Sequence, residues 1–211
     1  MSDAAVRDTL LRRAAAVGIV VPPDVVEPLV LYWGLIARWS RTINLTSLSL
    51  NPPSEEAIDR LFLEPLAAAA FFPAEADHWV DLGSGGGSPA IPLKIRLVSP
   101  ALVLTEARER KAVFLREVIR QLGLADSEVI IGRFEELAVT RSGWADVITS
   151  RAVAADELLA ATAHRLLKPQ GQLLLFQSAD NRMTLNGLEL VALHRLPGRS
   201  AALGIYVPRG T

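Results

Sequence analysis

The chain has 211 residues, half of them hydrophobic, which suits one globular domain with a real core plus a small extension. Its 22 Lys and Arg against 23 Asp and Glu leave a net charge of −1, so no global basic field marks a nucleic-acid binder, although a local Arg patch would suffice for one. The absence of cysteine excludes disulfides, thiolate catalysis and Cys-ligated zinc.

Residues 1 to about 72 read as a helical extension. Val25, Leu29, Tyr32, Ile36 and Trp39 fall at helical spacing after the start signal Pro22-Pro23-Asp24. Asn44-Leu45-Thr46 and Asn51-Pro52-Pro53-Ser54 read as loop, and a third helix is expected from about Ser54 to Phe72, stopped by Pro73. From His78 onward short apolar runs alternate with amphipathic helices. Strands are expected at Trp79 to Leu82, Ala101 to Thr105, Glu128 to Ile131, Ala145 to Thr149 and Gly171 to Phe176. Helices are expected from Pro89, over Arg108 to Leu122 and over Val153 to Leu167. Such alternation implies a mostly parallel, doubly wound α/β sheet over 73–211. Two further strands, Leu188 to Leu193 and Leu203 to Val207, make seven and are expected as an antiparallel edge.

The start Met1-Ser2-Asp3-Ala4-Ala5 lacks a basic segment followed by an apolar one, so no signal peptide is expected. The apolar run near Ala67 to Phe72 is too short to cross a bilayer. The cytoplasm, as the default, and a monomeric state are the expectations.

In such sheets the ligand lies at the carboxyl ends of the strands, at the switch point. The first of these strands runs into Asp81-Leu82-Gly83-Ser84-Gly85-Gly86-Gly87. Ser88 is expected to cap the following helix, with Pro89 at its first position. Without side chains, Gly83, Gly85 and Gly87 let a ligand approach the backbone. The dinucleotide pattern G-x-G-x-x-G/A fails at Ser88, and Asp81 would repel a pyrophosphate. An acid there suits a cofactor carrying an ammonium and a sulfonium, which favours S-adenosylmethionine over NAD. Glu106 follows the second strand and suits the ribose hydroxyls, or else caps the helix after it.

Several segments resemble the GidB/RsmG family, the guanine-N7 methyltransferases of small-subunit (16S) ribosomal RNA. They are Tyr32 to Thr46 with its closing Asn44-Leu45-Thr46, Asp81 to Leu93, Glu106 to Leu115, Gly132-Arg133-Phe134-Glu135-Glu136 and Thr149-Ser150-Arg151-Ala152. The resemblance implies the Rossmann-like class I methyltransferase fold with S-adenosylmethionine as cofactor. Gly83, Gly85 and Ser88 would line that cofactor, and Phe134 and Glu135 would sit against its adenine. Arg151 would lie at the end of the fourth strand, beside the cofactor and the incoming base, and Arg133 would face RNA. The chain departs from the family pattern in places. Leu61 follows Arg60 where a histidine is usual, and Gln177-Ser178 stands where lysine-glycine is usual.

Guanine N7 has a lone pair and no proton to lose, so its methylation requires no general base, which agrees with the lack of an evident catalytic dyad. Catalysis would be positioning, with Arg151 donating to guanine O6 or to a phosphate of the small ribosomal subunit. His78, His164 and His194 are not spaced for a metal. Trp33, Trp39 and Trp144 could stack on bases or be core. Three other readings stay open at this point: a methyltransferase of another RNA or of a small molecule, a non-catalytic cofactor-binding homologue, and a nicotinamide oxidoreductase.

Overall fold

The computed structural model describes residues 3–151, 157–180 and 182–210. Five strands form the parallel part of the sheet: β1 (His78–Leu82), β2 (Ala101–Glu106), β3 (Ser127–Ile131), β4 (Ala145–Arg151) and β5 (Leu167–Ser178). The antiparallel pair β6 (Leu188–Arg195) and β7 (Ala201–Pro208) completes the order β3-β2-β1-β4-β5-β7-β6. The expected antiparallel edge is therefore present, with β7 inserted between β5 and β6. The order reverses between β1 and β4, which puts the switch point between the glycine loop after β1 and Arg151 at the end of β4.

Alternation along β1 assigns its side chains to the two faces of the sheet. Val80 and Leu82 join one core, closed by α7 (Phe134–Thr140) and α8 (Glu157–Leu166). Trp79 joins the other core, shared with the N-terminal helices α1 (Asp3–Ala16) and α2 (Pro23–Trp39), with α5 (Ala90–Arg96) and with α6 (Glu109–Leu122). Within it α2 packs on α5 and α6, and α1 packs on α2. Trp33 is fully buried, edge-on to Phe62 at 5.7 Å, and Trp39 meets Phe114 the same way at 5.7 Å. Trp144 lies at the opposite end of the sheet, between His78 and the Arg141 guanidinium. These three tryptophans serve packing. The expected helix over 153–167 is observed from Glu157 to Leu166, and residues 152–156, including Ala152 of the fourth-strand motif, lie outside the described residues.

The stretch expected as one helix from Ser54 to Phe72 is four short pieces. They are α3 (Glu55–Ile58), a π-helical turn (Asp59–Leu63), α4 (Glu64–Ala68) and a 3₁₀ turn (Ala69–Phe71). The cause is Pro65. The Glu64 N–H bonds to the Asp59 carbonyl, five residues back, and Pro65 has no N–H to offer Arg60 or Leu61. Two carbonyls are thereby freed for partners elsewhere. Arg60 O accepts from Arg151 Nη1 at 2.5 Å, and Leu61 O accepts from the Ser88 hydroxyl at 3.2 Å. Ser88 is consequently not a helix cap. The helix after the loop starts at Ala90, and its N-cap position is Pro89, which makes no side-chain cap.

The glycine loop is packed from below. Gly87 adopts φ +94°, and a Cβ there would fall 2.8 Å from Ile91 Cγ1 and 2.9 Å from Tyr32 Oη. The Tyr32 hydroxyl itself donates to Gly86 O at 2.6 Å. Gly87 was expected to admit a ligand; it admits Tyr32 and Ile91 instead. Gly87→Ala should therefore destabilise the fold by about 2–4 kcal/mol, from left-handed strain together with overpacking. Urea unfolding measures this, and a loss well under 1 kcal/mol would show that the loop is not clamped in this way.

Candidate active site

Two cavities open at the carboxyl ends of the strands, and Arg60 and Arg151 line both. The first, about 670 Å³, holds Gly83, Gly85, Ser88 and Glu106. The second, about 920 Å³, lies on the far side of Arg151, towards Phe176 and the turn between β6 and β7. Both volumes fall in the range of small-molecule sites.

In the first cavity Gly85 is the open position. Its φ is +55°, and an added Cβ would have only Gly83 O within 4 Å, at 3.8 Å. Glu106 ties the rim together, its Oε2 accepting from Gly85 N at 2.8 Å and its Oε1 from Arg108 N at 2.8 Å. Glu106 thus both shapes the loop and presents a carboxylate to the cavity. Arg108 and Lys111 from the start of α6 line the same space. So do Asn44 and Thr46, and Leu45 O would lie 3.0 Å from a Cβ at Gly86, which places this loop directly over the glycines.

Asp81 is not on the cavity wall. Strand alternation turns it to the Trp79 face, where it is 1% exposed. Trp79 Nε1 donates to Thr149 Oγ1 at 2.9 Å, and the Thr149 hydroxyl donates to Asp81 Oδ1 at 2.5 Å. Burial pushes the Asp81 carboxyl up to about 6, against the pull of the Thr149 hydrogen bond. Its charge therefore acts from behind the loop rather than by contact.

The turn after β3 also differs from expectation. Phe134 packs against the core under α7 and does not line the cavity. Glu135 lies 3.5 Å from Arg133 Nη1, and it too is absent from the lining. Both begin α7, whose burial of Leu137 and Ala138 fixes which way its first turn faces. Arg133 is largely exposed, as a residue facing a large partner would be.

The Arg151 side chain is 8% exposed. Its register partner on β5 is Phe176, and its guanidinium lies 4.5 Å above that ring. Nη1 donates to Arg60 O, and Nη2 is 3.0 Å from Glu64 Oε2. Burial draws the guanidinium down to about 10, with Glu64 opposing, so it stays charged at neutral pH. Among the described residues no group of three or more His, Asp or Glu could hold a metal. His78 sits by Asp146 at the other end of the sheet, and His194 stacks on Phe71.

Reasoning from sequence did not single out Arg60, Glu64, Arg108 or Lys111. Lys111 lay within a family-like segment and was legible in principle. Glu64 falls within the stretch that reads as one helix from Ser54 to Phe72, and nothing in that pattern turns it towards Arg151.

A glycine loop after β1, an acid after β2 and a seven-stranded sheet with an antiparallel tail define a class I S-adenosylmethionine-dependent methyltransferase. The chain belongs to the GidB family, rRNA small subunit methyltransferase G, whose sequence model matches residues 26–193. Ribosomal RNA small subunit methyltransferase G of Geotalea uraniireducens is 37% identical over 151 residues, which are 72% of this chain and 67% of that one. The protein of that name from Stenotrophomonas maltophilia is 36% identical over 172 residues, or 81% and 76%. The one from Dichelobacter nodosus is 39% identical over 132 residues, and the match spans 61% of its length. In fold, a methyltransferase from Geobacter sulfurreducens superimposes with a TM-score of 0.60 at 17% identity, covering 92% of this chain and 94% of that one. Mitomycin 7-O-methyltransferase does so at 0.58 and 19% identity, covering 84% and 60%.

Two outcomes follow from this geometry. Gly85→Val should abolish S-adenosylhomocysteine binding in calorimetry, by more than 100-fold, while changing unfolding free energy by only about 1–2 kcal/mol, because the site is open but the φ is positive. The raised Asp81 carboxyl means that the folded chain holds this proton more tightly than the unfolded chain does. That contribution is complete below pH 4 and is lost as pH rises through about 6. Asp81→Asn removes the loss, so the stability of the variant relative to the wild type should rise by about 2 kcal/mol between pH 4 and pH 7. Urea titrations at the two pH values check this, and a constant difference would contradict it.

Proposed function

We propose that this protein methylates N7 of a guanine in small-subunit ribosomal RNA, acting as a cytoplasmic monomer on the small ribosomal subunit or its RNA. The observation that carries the reading is the pair of cavities meeting at Arg151. One is built from the glycine loop; the other is open to a base and walled by Phe176. The names borne by the relatives favour ribosomal RNA as the acceptor.

Bound S-adenosylmethionine supplies an electrophilic methyl group on a sulfonium. Gly85 gives it room, Glu106 is the acceptor for its hydroxyls, and Asp81 adds negative potential from behind the loop. Arg151, held by Arg60 O, stands between the two cavities and orients what enters the second. Its N–H groups suit O6 of a guanine, leaving the N7 lone pair free to attack. N7 loses no proton, so the site needs no base at that atom, and the chain's contribution is to hold two reactants in line. The exposed Arg133 is assigned to the RNA backbone.

Small subunits lacking the mark should accept labelled methyl from S-adenosylmethionine, with a rate that is flat from pH 7 to pH 9. Arg151→Gln should lower kcat about 100-fold while leaving S-adenosylhomocysteine affinity within a few fold. Transfer mapped to any atom other than guanine N7, or none to the subunit, would overturn this reading.

A further inference from the structure

The second cavity carries a carboxylate that the mechanism above does not use. Glu64, at the start of α4, is buried and lines that cavity beside Arg151 and Phe176. The turn between β6 and β7 closes over it, since a Cβ on Gly198 would come within 3.4 Å of Glu64 Oε1. Burial raises its carboxyl, and Arg151 and Arg60 hold it down.

Glu64 and Arg151 are close but poorly joined. Nη2 lies 3.0 Å from Oε2 in an ion pair of poor hydrogen-bond geometry, and among the described residues Nε of Arg151 has no acceptor, although both atoms are buried. A buried guanidinium nitrogen left without an acceptor is costly to keep that way. Its surroundings therefore suit a ligand that brings an acceptor to Arg151 and donors to Glu64. The other acids of the cavity are differently engaged: Asp59 is bound by Arg13 in a two-pronged pair at 2.8 and 2.9 Å, and Glu55 and Glu56 are exposed.

Resting on the proposed guanine acceptor, we infer that Glu64 is the residue that reads the base, its carboxylate accepting from guanine N1–H and the 2-amino group while Arg151 donates to O6. Guanine alone among the four RNA bases presents two adjacent donors on its Watson–Crick edge, and one carboxylate meets them in a two-pronged contact. Adenine and cytosine offer it a single amino group, and uracil a single ring N–H. Reading of an extruded base by that edge leaves N7, on the opposite side of the ring, free for methyl transfer. Pro65 fixes the position of Glu64, because the π-helical turn ahead of it anchors both Arg151 and the Glu64 backbone.

The test uses small subunits assembled on RNA with guanosine or with inosine, which lacks the 2-amino group, at the methylated position. The wild type should favour guanosine over inosine by at least tenfold in kcat/KM. Glu64→Gln should lower transfer to guanosine at least 100-fold and bring the guanosine-to-inosine ratio close to one, with S-adenosylhomocysteine affinity unchanged. Glu64→Asp, which keeps the charge, should recover part of the ratio even if stability falls in both variants. A wild-type ratio of one, or a ratio that survives Glu64→Gln, overturns the assignment while leaving the guanine acceptor standing. No transfer to guanosine subunits by the wild type takes away that acceptor, and the assignment with it.

Discussion

The site depends on two backbone carbonyls that Pro65 leaves without a helical partner. In a regular helix the N–H groups of residues 64 and 65 would serve the carbonyls of residues 60 and 61. Glu64 instead reaches back to Asp59, and Pro65 has nothing to give. Arg60 O then takes Arg151 at the end of β4, and Leu61 O takes Ser88 at the end of the glycine loop. One turn of irregular helix thus joins the N-terminal helices to both sides of the switch point. Each contact gives a carbonyl the partner that the helix no longer supplies, as a cap does at a helix end.

The same joint explains why the N-terminal helices bear on function although they hold none of the glycine-loop residues. Tyr32 from α2 lies under Gly86 and Gly87, Leu45 lies over Gly86, and Arg60 borders both cavities. The loop is clamped from above, from below and from the side. Gly85 is its open position, beside the Glu106 carboxylate. A preorganised cradle of this kind spends little ordering energy when the ligand arrives.

Electrostatics divides the labour among the charged groups. Asp81 and Glu106 put carboxylates beside the glycine loop, one buried within the sheet and one at the cavity rim. Arg151 stays cationic despite burial because Glu64 stands beside it. A buried pair of this kind contributes little net stability but is expensive to break, so either partner alone is a liability to the fold. Keeping such a pair at the meeting point of two cavities is reasonable where the pair also serves a ligand.

Much of the architecture was legible in the order of residues. Period-two strands, amphipathic helices and the glycine run place β1 to β5 and the cavity, since these follow from local pattern and backbone freedom. Glu106, legible from its spacing to the loop, lies at the cavity rim. What only the tertiary structure decided were the directions of side chains and the fate of freed backbone groups. Gly87 looks like its neighbours in sequence but packs on Tyr32; Asp81 looks like a contact residue but faces the core; Phe134 turns under α7. Ser88 and Pro65 lie more than twenty residues apart, and no local pattern shows that the hydroxyl of one answers a carbonyl released by the other. Glu64 meets Arg151 only because β4 ends beside that same turn, a contact set by the sheet order and not by any motif.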